Sequence, residues 1–255
     1  MITTVFTTGS REVTTPCALT EPIKDCPATA LITFQRAIMS GLLDAHPSTS
    51  LRQMDFGGAS DVDVRCITDD GHRFGACLSP IGAPTATALL EELVACGFKR
   101  FVVFGICGVL VPGIPAGHII VPTRAVRDEG TSYHYARSSD TIDIKTAPKL
   151  AAILNGVGVP HVDGLVWTTD AFYRETRALV DRRVSQGCIA VDMEASALAA
   201  MSQFRGVDVY HILCAADSLV GDWDPEPIKT MRDAQRSALW KAALGVAKRV
   251  DDGAR

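Results

Sequence analysis

The chain has 255 residues, 47% hydrophobic, 21% charged and 6% aromatic, and its 25 Lys and Arg against 29 Asp and Glu leave a formal net charge of −4. That profile belongs to a soluble globular protein with enough chain for a sizeable core. No cluster of Lys and Arg is present to neutralise phosphates, which argues against a nucleic-acid partner. No run approaches the roughly 20 apolar residues of a membrane span. Residues 1–10 lack the basic start and apolar stretch of a signal peptide. The eight cysteines are scattered without a C-x-x-C pair, so buried, reduced thiols in a cytoplasmic protein are expected rather than zinc ligands or disulfides. No linker or repeat divides the chain, and one domain over residues 1–255 is expected.

In chain order, residues 16–27 read as irregular, and residues 30–43 (ALITFQRAIMSGLL) as a strand turning into a helix. Residues 61–68 alternate and residues 73–78 follow an Asp-Asp-Gly, which predicts a hairpin. Pro84, the apolar stripe Ala88, Leu89, Leu93, Val94 and Ala95, and then Gly97 mark a helix with its start and stop. A strand at 101–104 runs into Gly105-Ile106-Cys107-Gly108, and a short strand follows at 118–122. A helix at 147–154, a strand at 165–169, a helix from Glu175, a strand at 189–191, a helix at 194–204 and a strand at 209–214 then alternate. A last helix, about 226–250, carries Ile228, Met231, Ala238, Ala242, Val246 and Val250 on one face. The fold class is α/β, with a central mixed, twisted β-sheet flanked by helices.

Ligands of such sheets collect where strands end, and three strand ends carry candidate chemistry. Gly105-Ile106-Cys107-Gly108 could let backbone N–H groups approach an anion or a sugar, or could be a tight turn; it fits neither a P-loop nor G-x-G-x-x-G. Val191-Asp192-Met193-Glu194 delivers two carboxylates to a strand-to-helix junction, where an acid also suits the positive helix end. Ala215-Ala216-Asp217 places an acid after an apolar strand, where it could equally cap the next turn. His118, His134, His161 and His211 are not paired at metal-ligand spacing, so no metal is expected, and Trp167, Trp223 and Trp240 read as packing or interface aromatics.

Together these strand ends match a known pattern. Ile81-Gly-Ala-Pro84, Phe104-Gly-Ile-Cys-Gly108, Gly117-His-Ile-Ile-Val-Pro122, Val126-Arg-Asp-Glu-Gly-Thr-Ser132, Thr169-Asp-Ala-Phe-Tyr173, Val191-Asp-Met-Glu-Ala195 and Ala216-Asp217 occur in order across about residues 74–220. In this the chain resembles the nucleoside phosphorylase family, which includes uridine phosphorylase, hexameric purine nucleoside phosphorylase and the methylthioadenosine/adenosylhomocysteine nucleosidases. The resemblance implies a ribonucleoside site at the strand ends, near Ile106, Cys107 and Gly108. In it Glu194 binds the ribose hydroxyls, Met193 packs on the sugar, Phe172 stacks on the base beside Val191, and Asp217 is the catalytic acid that protonates a departing purine.

The nucleophile is less defined. The family's phosphorylases hold phosphate with a Gly-Asp-Pro-x-Arg loop and a strand Arg, whereas this chain has Thr33-Phe34-Gln35-Arg36, Val103 at the strand position, and Ile106 where the following turn carries a hydroxyl. Arg36 is either part of an anion site or a surface residue. The nucleosidases' water-activating Glu has no counterpart in residues 31–43, and the uracil-reading Gln and Arg have no clear one in residues 174–177, which favours purine over uridine. The leading expectation is phosphorolysis of a ribonucleoside to free base and ribose 1-phosphate, with phosphate as co-substrate and no cofactor. Hydrolysis of the same bond and a non-catalytic storage role are the alternatives. The resemblance also implies a homodimer or a hexamer built as a trimer of dimers.

Overall fold

The computed structural model describes residues 4–7, 9–55, 61–224, 226 and 230–253. Strand β1 (Thr29–Thr33) passes through Phe34 and Gln35 into helix α1 (Arg36–Asp44). Strand β2 (Ser48–Asp55) then pairs with β3 (Asp61–Asp69), and β3 with β4 (His72–Leu78). Asp70 and Gly71 turn the β3–β4 hairpin, both at positive φ (46° and 80°), the geometry a tight two-residue turn requires. Helix α2 (Ala83–Cys96) starts after Gly82 and stops at Gly97, which is left-handed (φ 117°) and donates its N–H to the last turn, as a terminating glycine does.

The second half runs β5 (Arg100–Val109), β6 (Ile119–Asp128), β7 (Thr141–Asp143), α3 (Ala147–Gly156), β8 (His161–Thr169), α4 (Arg177–Ser185), β9 (Cys188–Asp192), α5 (Ala195–Arg205), β10 (Asp208–Ser218) and α6 (Asp233–Asp252). The sheet is mixed. β5 pairs with β1 and β10 in parallel and, at its end, with β9 antiparallel. β9 continues to β8, β8 to β6, and β6 back to β10. These pairings close β5, β9, β8, β6 and β10 into a ring, from which β1, β4, β3 and β2 extend as an open sheet.

Both faces of the central strands are covered, so successive residues enter different cores. Leu31, Val102, Phe104, Tyr210 and Ile212 pack towards α1 and α6, against Leu42, Leu239, Ala243 and Val246. Ala30, Ile32, Phe101, Val103 and Val209 face α2 and α5, against Leu89, Leu93, Leu198 and Met201. Each such aliphatic side chain contributes about 1.5–3 kcal/mol by leaving water. Six cysteines, Cys66, Cys77, Cys96, Cys107, Cys188 and Cys214, are buried, Cys26 is half-buried and Cys17 is exposed.

Several expected boundaries shift. Gly105 to Gly108 form no turn; they lie inside β5. A Cβ on Gly105 would meet the Phe34 ring at 3.0 Å, and one on Gly108 would meet Leu219 at 2.7 Å and Val191 at 3.0 Å, so these glycines serve close packing. Asp217 is likewise inside β10, in the irregular stretch where the register with β5 shifts between Ala215 and Ser218. The last helix begins at Asp233, not near Glu226, and Ile228 lies outside the described residues. Ala238 is exposed, and the buried stripe is Leu239, Ala242, Ala243, Val246 and Val250.

Candidate active site

Strand β5 changes neighbours along its length. Its pairing with β1 ends at Thr33 opposite Phe104, and its pairing with β9 begins at Gly108 opposite Val191. Over the three residues between, that side of β5 has no strand, the kind of switch point at which open sheets admit ligands. A cavity of about 480 Å³ opens there, lined by Phe34, Gln35, Ile81, Ile106, Cys107, Gly108, Phe172, Tyr173, Glu175, Arg177, Val180, Val191, Asp192, Met193, Glu194, Asp217, Leu219 and Trp223. That is the size of a small-molecule site. Among the described residues, no three His, Cys, Asp or Glu side chains group to hold a metal, and no helix is long and apolar enough to cross a membrane.

The inner end of the cavity is built on the junction of β9 and α5. Asp192 is buried and accepts from the Thr168 hydroxyl (2.8 Å) and from the N–H groups of Glu194 (3.1 Å) and Ala195 (2.7 Å), so it caps the helix. Glu194 therefore sits at the helix cap position rather than in the first turn, and its side chain is free to turn away. Its Oε1 accepts from the N–H of Gly82 at 2.7 Å. Gly82 presents that N–H from φ 104°, a conformation few residues other than glycine adopt. Burial, and then the neighbouring Asp192 charge, push the Glu194 carboxyl up from the ordinary carboxylate range.

Behind this pair stands a second buried acid. Glu129 accepts from the N–H groups of Thr131 (2.6 Å) and Ser132 (2.9 Å) and from the Ser196 hydroxyl (2.8 Å). Buried Arg127 donates to Ser132 Oγ (2.8 Å) and to the carbonyl of Arg137 (2.7 Å). The 126–132 segment thus braces the first turn of α5, outside the cavity wall.

The outer end is looser. Phe172 and Tyr173, on a single helical turn, are 48% and 83% exposed with ring centroids 4.0 Å apart. Asp217 Oδ2 accepts from the Trp223 indole N–H at 2.8 Å. Glu175 shares this end, and burial, with a smaller contribution from the Asp217 charge, raises its carboxyl to about 7. Arg177 donates to the carbonyls of Leu219 (2.9 Å) and Gly221, strapping the segment after β10 to α4.

Asp217, Met193, Glu194, Val191, Phe172, Ile106, Cys107 and Gly108 thus line one cavity, although they are up to 111 positions apart in the chain (Ile106 to Asp217). Arg36 does not join them. It opens α1 on its exposed face, because Ile38, Met39 and Leu42 occupy the inward one, and Gln35 takes the place at the cavity. Val103 is buried in the core. Gln35, Glu175, Arg177 and Trp223 escaped the sequence reading; the signal for two of them was their place within five residues of Phe172. Among the described residues lining the cavity, Arg177 is the one with a guanidinium or ammonium.

The family model of the phosphorylase superfamily matches residues 60–247. A guanosine phosphorylase of Halorubrum lacusprofundi is 30% identical over 158 residues, covering 59% of this chain and 64% of its own length. The uridine phosphorylase of Escherichia coli is 25% identical over 154 residues, covering 54% and 61%. The chain therefore matches less than two thirds of the length of these relatives. In overall shape it is similar to uridine phosphorylase from Vibrio fischeri (TM-score 0.74, 24% identity, 96% of this chain and 100% of that one). It is similar also to purine nucleoside phosphorylase from Toxoplasma gondii in complex with immucillin-H (TM-score 0.75, 20% identity, 89% and 92%). At these identities the structural likeness speaks for the fold.

Proposed function

Since the chain belongs to the phosphorylase superfamily, we propose that it is a pentosyltransferase that cleaves the N-glycosidic bond of a ribonucleoside with phosphate, releasing free base and ribose 1-phosphate. The observation that carries this reading is the placing of two acids, Glu194 and Asp217, on one cavity with an aromatic side chain, Phe172, between solvent and the interior. Glu194 accepts hydrogen bonds from the ribose hydroxyls and stabilises positive charge as the sugar becomes an oxocarbenium ion. Met193 packs on the sugar and Phe172 stacks on the base. Asp217, oriented by the Trp223 N–H, supplies the proton that lets a purine leave. Purine nucleosides are favoured by this acid, with uridine the weaker substrate.

Water as nucleophile is the second reading. Its support is the cavity's charge: Ile106 and Gln35 lie where the family pattern carries phosphate ligands, and the guanidinium of Arg177 is held at the other end by backbone carbonyls. A panel of nucleosides incubated with and without phosphate, with base and ribose 1-phosphate measured, separates the two. Phosphate-dependent ribose 1-phosphate supports the first reading, phosphate-independent free ribose the second, and no turnover of any nucleoside the storage role. The buried free thiols suit a cytoplasmic location. A homodimer or hexamer is part of the same proposal, supported by the exposed Ile81, Phe172, Tyr173 and Trp223 around the cavity mouth. Light scattering that finds only a monomer would remove it.

A further inference from the structure

A second cavity, of about 270 Å³, shares no lining residue with the first. It opens between β10, α5 and the link from β7 to α3, where Ile144, Leu198, Ala199 and Val209 make much of its wall apolar. One polar side chain on that wall stands out. His211 follows Val209 by two positions on β10, so it points to the same face of the sheet, towards α5. It is 2% exposed, and neither Nδ1 nor Nε2 has a hydrogen-bond partner among the described residues. Buried polar groups are nearly always paired, because an unmet donor or acceptor has lost its hydration for nothing. The hydroxyls on the same wall have spent their protons: Thr146 donates to the Val209 carbonyl, and Ser202 to that of Ala199 (3.0 Å). Each of them can still accept.

We propose that this cavity is a second binding site, that it takes a small, flat, uncharged molecule with a hydrogen-bond donor beside an acceptor, as in a cyclic amide, and that His211 recognises it. A neutral imidazole offers one N–H and one lone pair, so its partner must be able to accept, donate or do both, and a cyclic amide presents both groups on one edge. The apolar wall and the volume suit a molecule built on a ring. A charged ligand fits poorly. Burial pushes the His211 imidazole down to about 4 and keeps it neutral, and the exposed Lys145 and Asp208 on the same wall cancel in charge. A purely apolar ligand of the same size would leave both His211 nitrogens unmet. The inference stands apart from the nucleoside-cleaving reading, which concerns the other cavity.

The test titrates 2-pyridone, a flat cyclic amide, and benzene, a ring of the same size without the polar edge, into the full chain by calorimetry. The wild type is expected to bind 2-pyridone with a dissociation constant of about 1 mM or tighter, and benzene at least about tenfold more weakly, the order set by one buried hydrogen bond. His211→Phe keeps the ring and removes both nitrogens, so affinity for 2-pyridone at this site should fall at least about tenfold. Ala199→Leu fills the cavity from α5 and leaves His211 in place; it should abolish that binding, and it serves if His211→Phe does not fold. Any uptake by the first cavity is common to all three proteins and subtracts. Crystals grown with 2-pyridone should show it within hydrogen-bond distance of a His211 ring nitrogen. Equal affinity for benzene, undiminished 2-pyridone binding in a folded variant, a crystal with the probe in the first cavity alone, or no heat at about 10 mM probe overturns the inference. Nucleoside cleavage is no part of the readout, so none of these results bears on the proposed function.

Discussion

The two ends of the cavity are built on opposite principles. At the inner end Asp192 has three hydrogen-bond donors, Glu194 has the Gly82 N–H, and Glu129 braces the helix behind them, all of them buried. At the outer end Asp217 takes one N–H from Trp223, which is itself 59% exposed, Glu175 has no donor found among the described residues, and Tyr173 is 83% exposed. A group held by buried hydrogen bonds loses little entropy when a ligand arrives, and its oxygens are already aimed. A half-exposed group can adapt or change protonation state. In the proposed function the rigid end meets the ribose, common to all ribonucleosides, and the adaptable end meets the base, which varies.

That contrast can be broken by substitution. The largest effect is expected for Asp217→Asn, which keeps the shape and removes the acid. Turnover of purine nucleosides should fall by about 10²- to 10⁴-fold, the usual contribution of a positioned general acid. A nitrophenyl riboside, whose leaving group departs without a proton, should lose far less; equal losses on both substrates would reduce Asp217 to a support for its loop. Glu194→Ala is expected to lower turnover by at least about 10²-fold while the far-UV spectrum stays unchanged, because its interaction is strongest in the transition state. Unaltered activity would make Glu194 a helix-end charge only.

Two smaller effects sharpen the comparison. Asp192→Ala removes the cap of α5 and strands the Thr168 hydroxyl, and a loss of about 2–3 kcal/mol in urea unfolding is expected. A loss near zero would mean that the inner end is not held by this network. Trp223→Phe removes the Asp217 donor at an exposed position, so stability should move by no more than about 0.5 kcal/mol. Turnover should drop by about tenfold or less. A large destabilisation there would show the outer end to be as rigid as the inner one.

Local pattern was enough to reveal the alternation of strands and helices from Pro84 to Cys214, since apolar periodicity, Pro84 and Gly97 act within a few residues. It was also enough, with the resemblance, to name eight of the eighteen residues that line the cavity. It missed β2, whose polar STSLRQMD has a single buried residue, Met54, because an edge strand needs little apolar content. It ended β5 and β10 too early, at Phe104 and Cys214, because whether glycines or an acid continue a strand depends on the neighbours they meet: Phe34 and Leu219 for the glycines, β5 for Asp217. The ring of five strands could not be read at all, since pairing partners are chosen across the chain. Arg36 and Gln35 are adjacent, and only the packing of α1 against the core decided that the amide faces the cavity and the guanidinium does not. Glu175 was expected only as the start of a helix; the helix starts at Arg177, and the fold leaves Glu175 on the cavity wall, with Asp217 near it and water excluded from part of its surface. Local residue choice decides which elements form, because those forces act over a few residues. Which groups share a cavity, and with what charge, is set by long-range packing and desolvation, which exist only once the chain has folded.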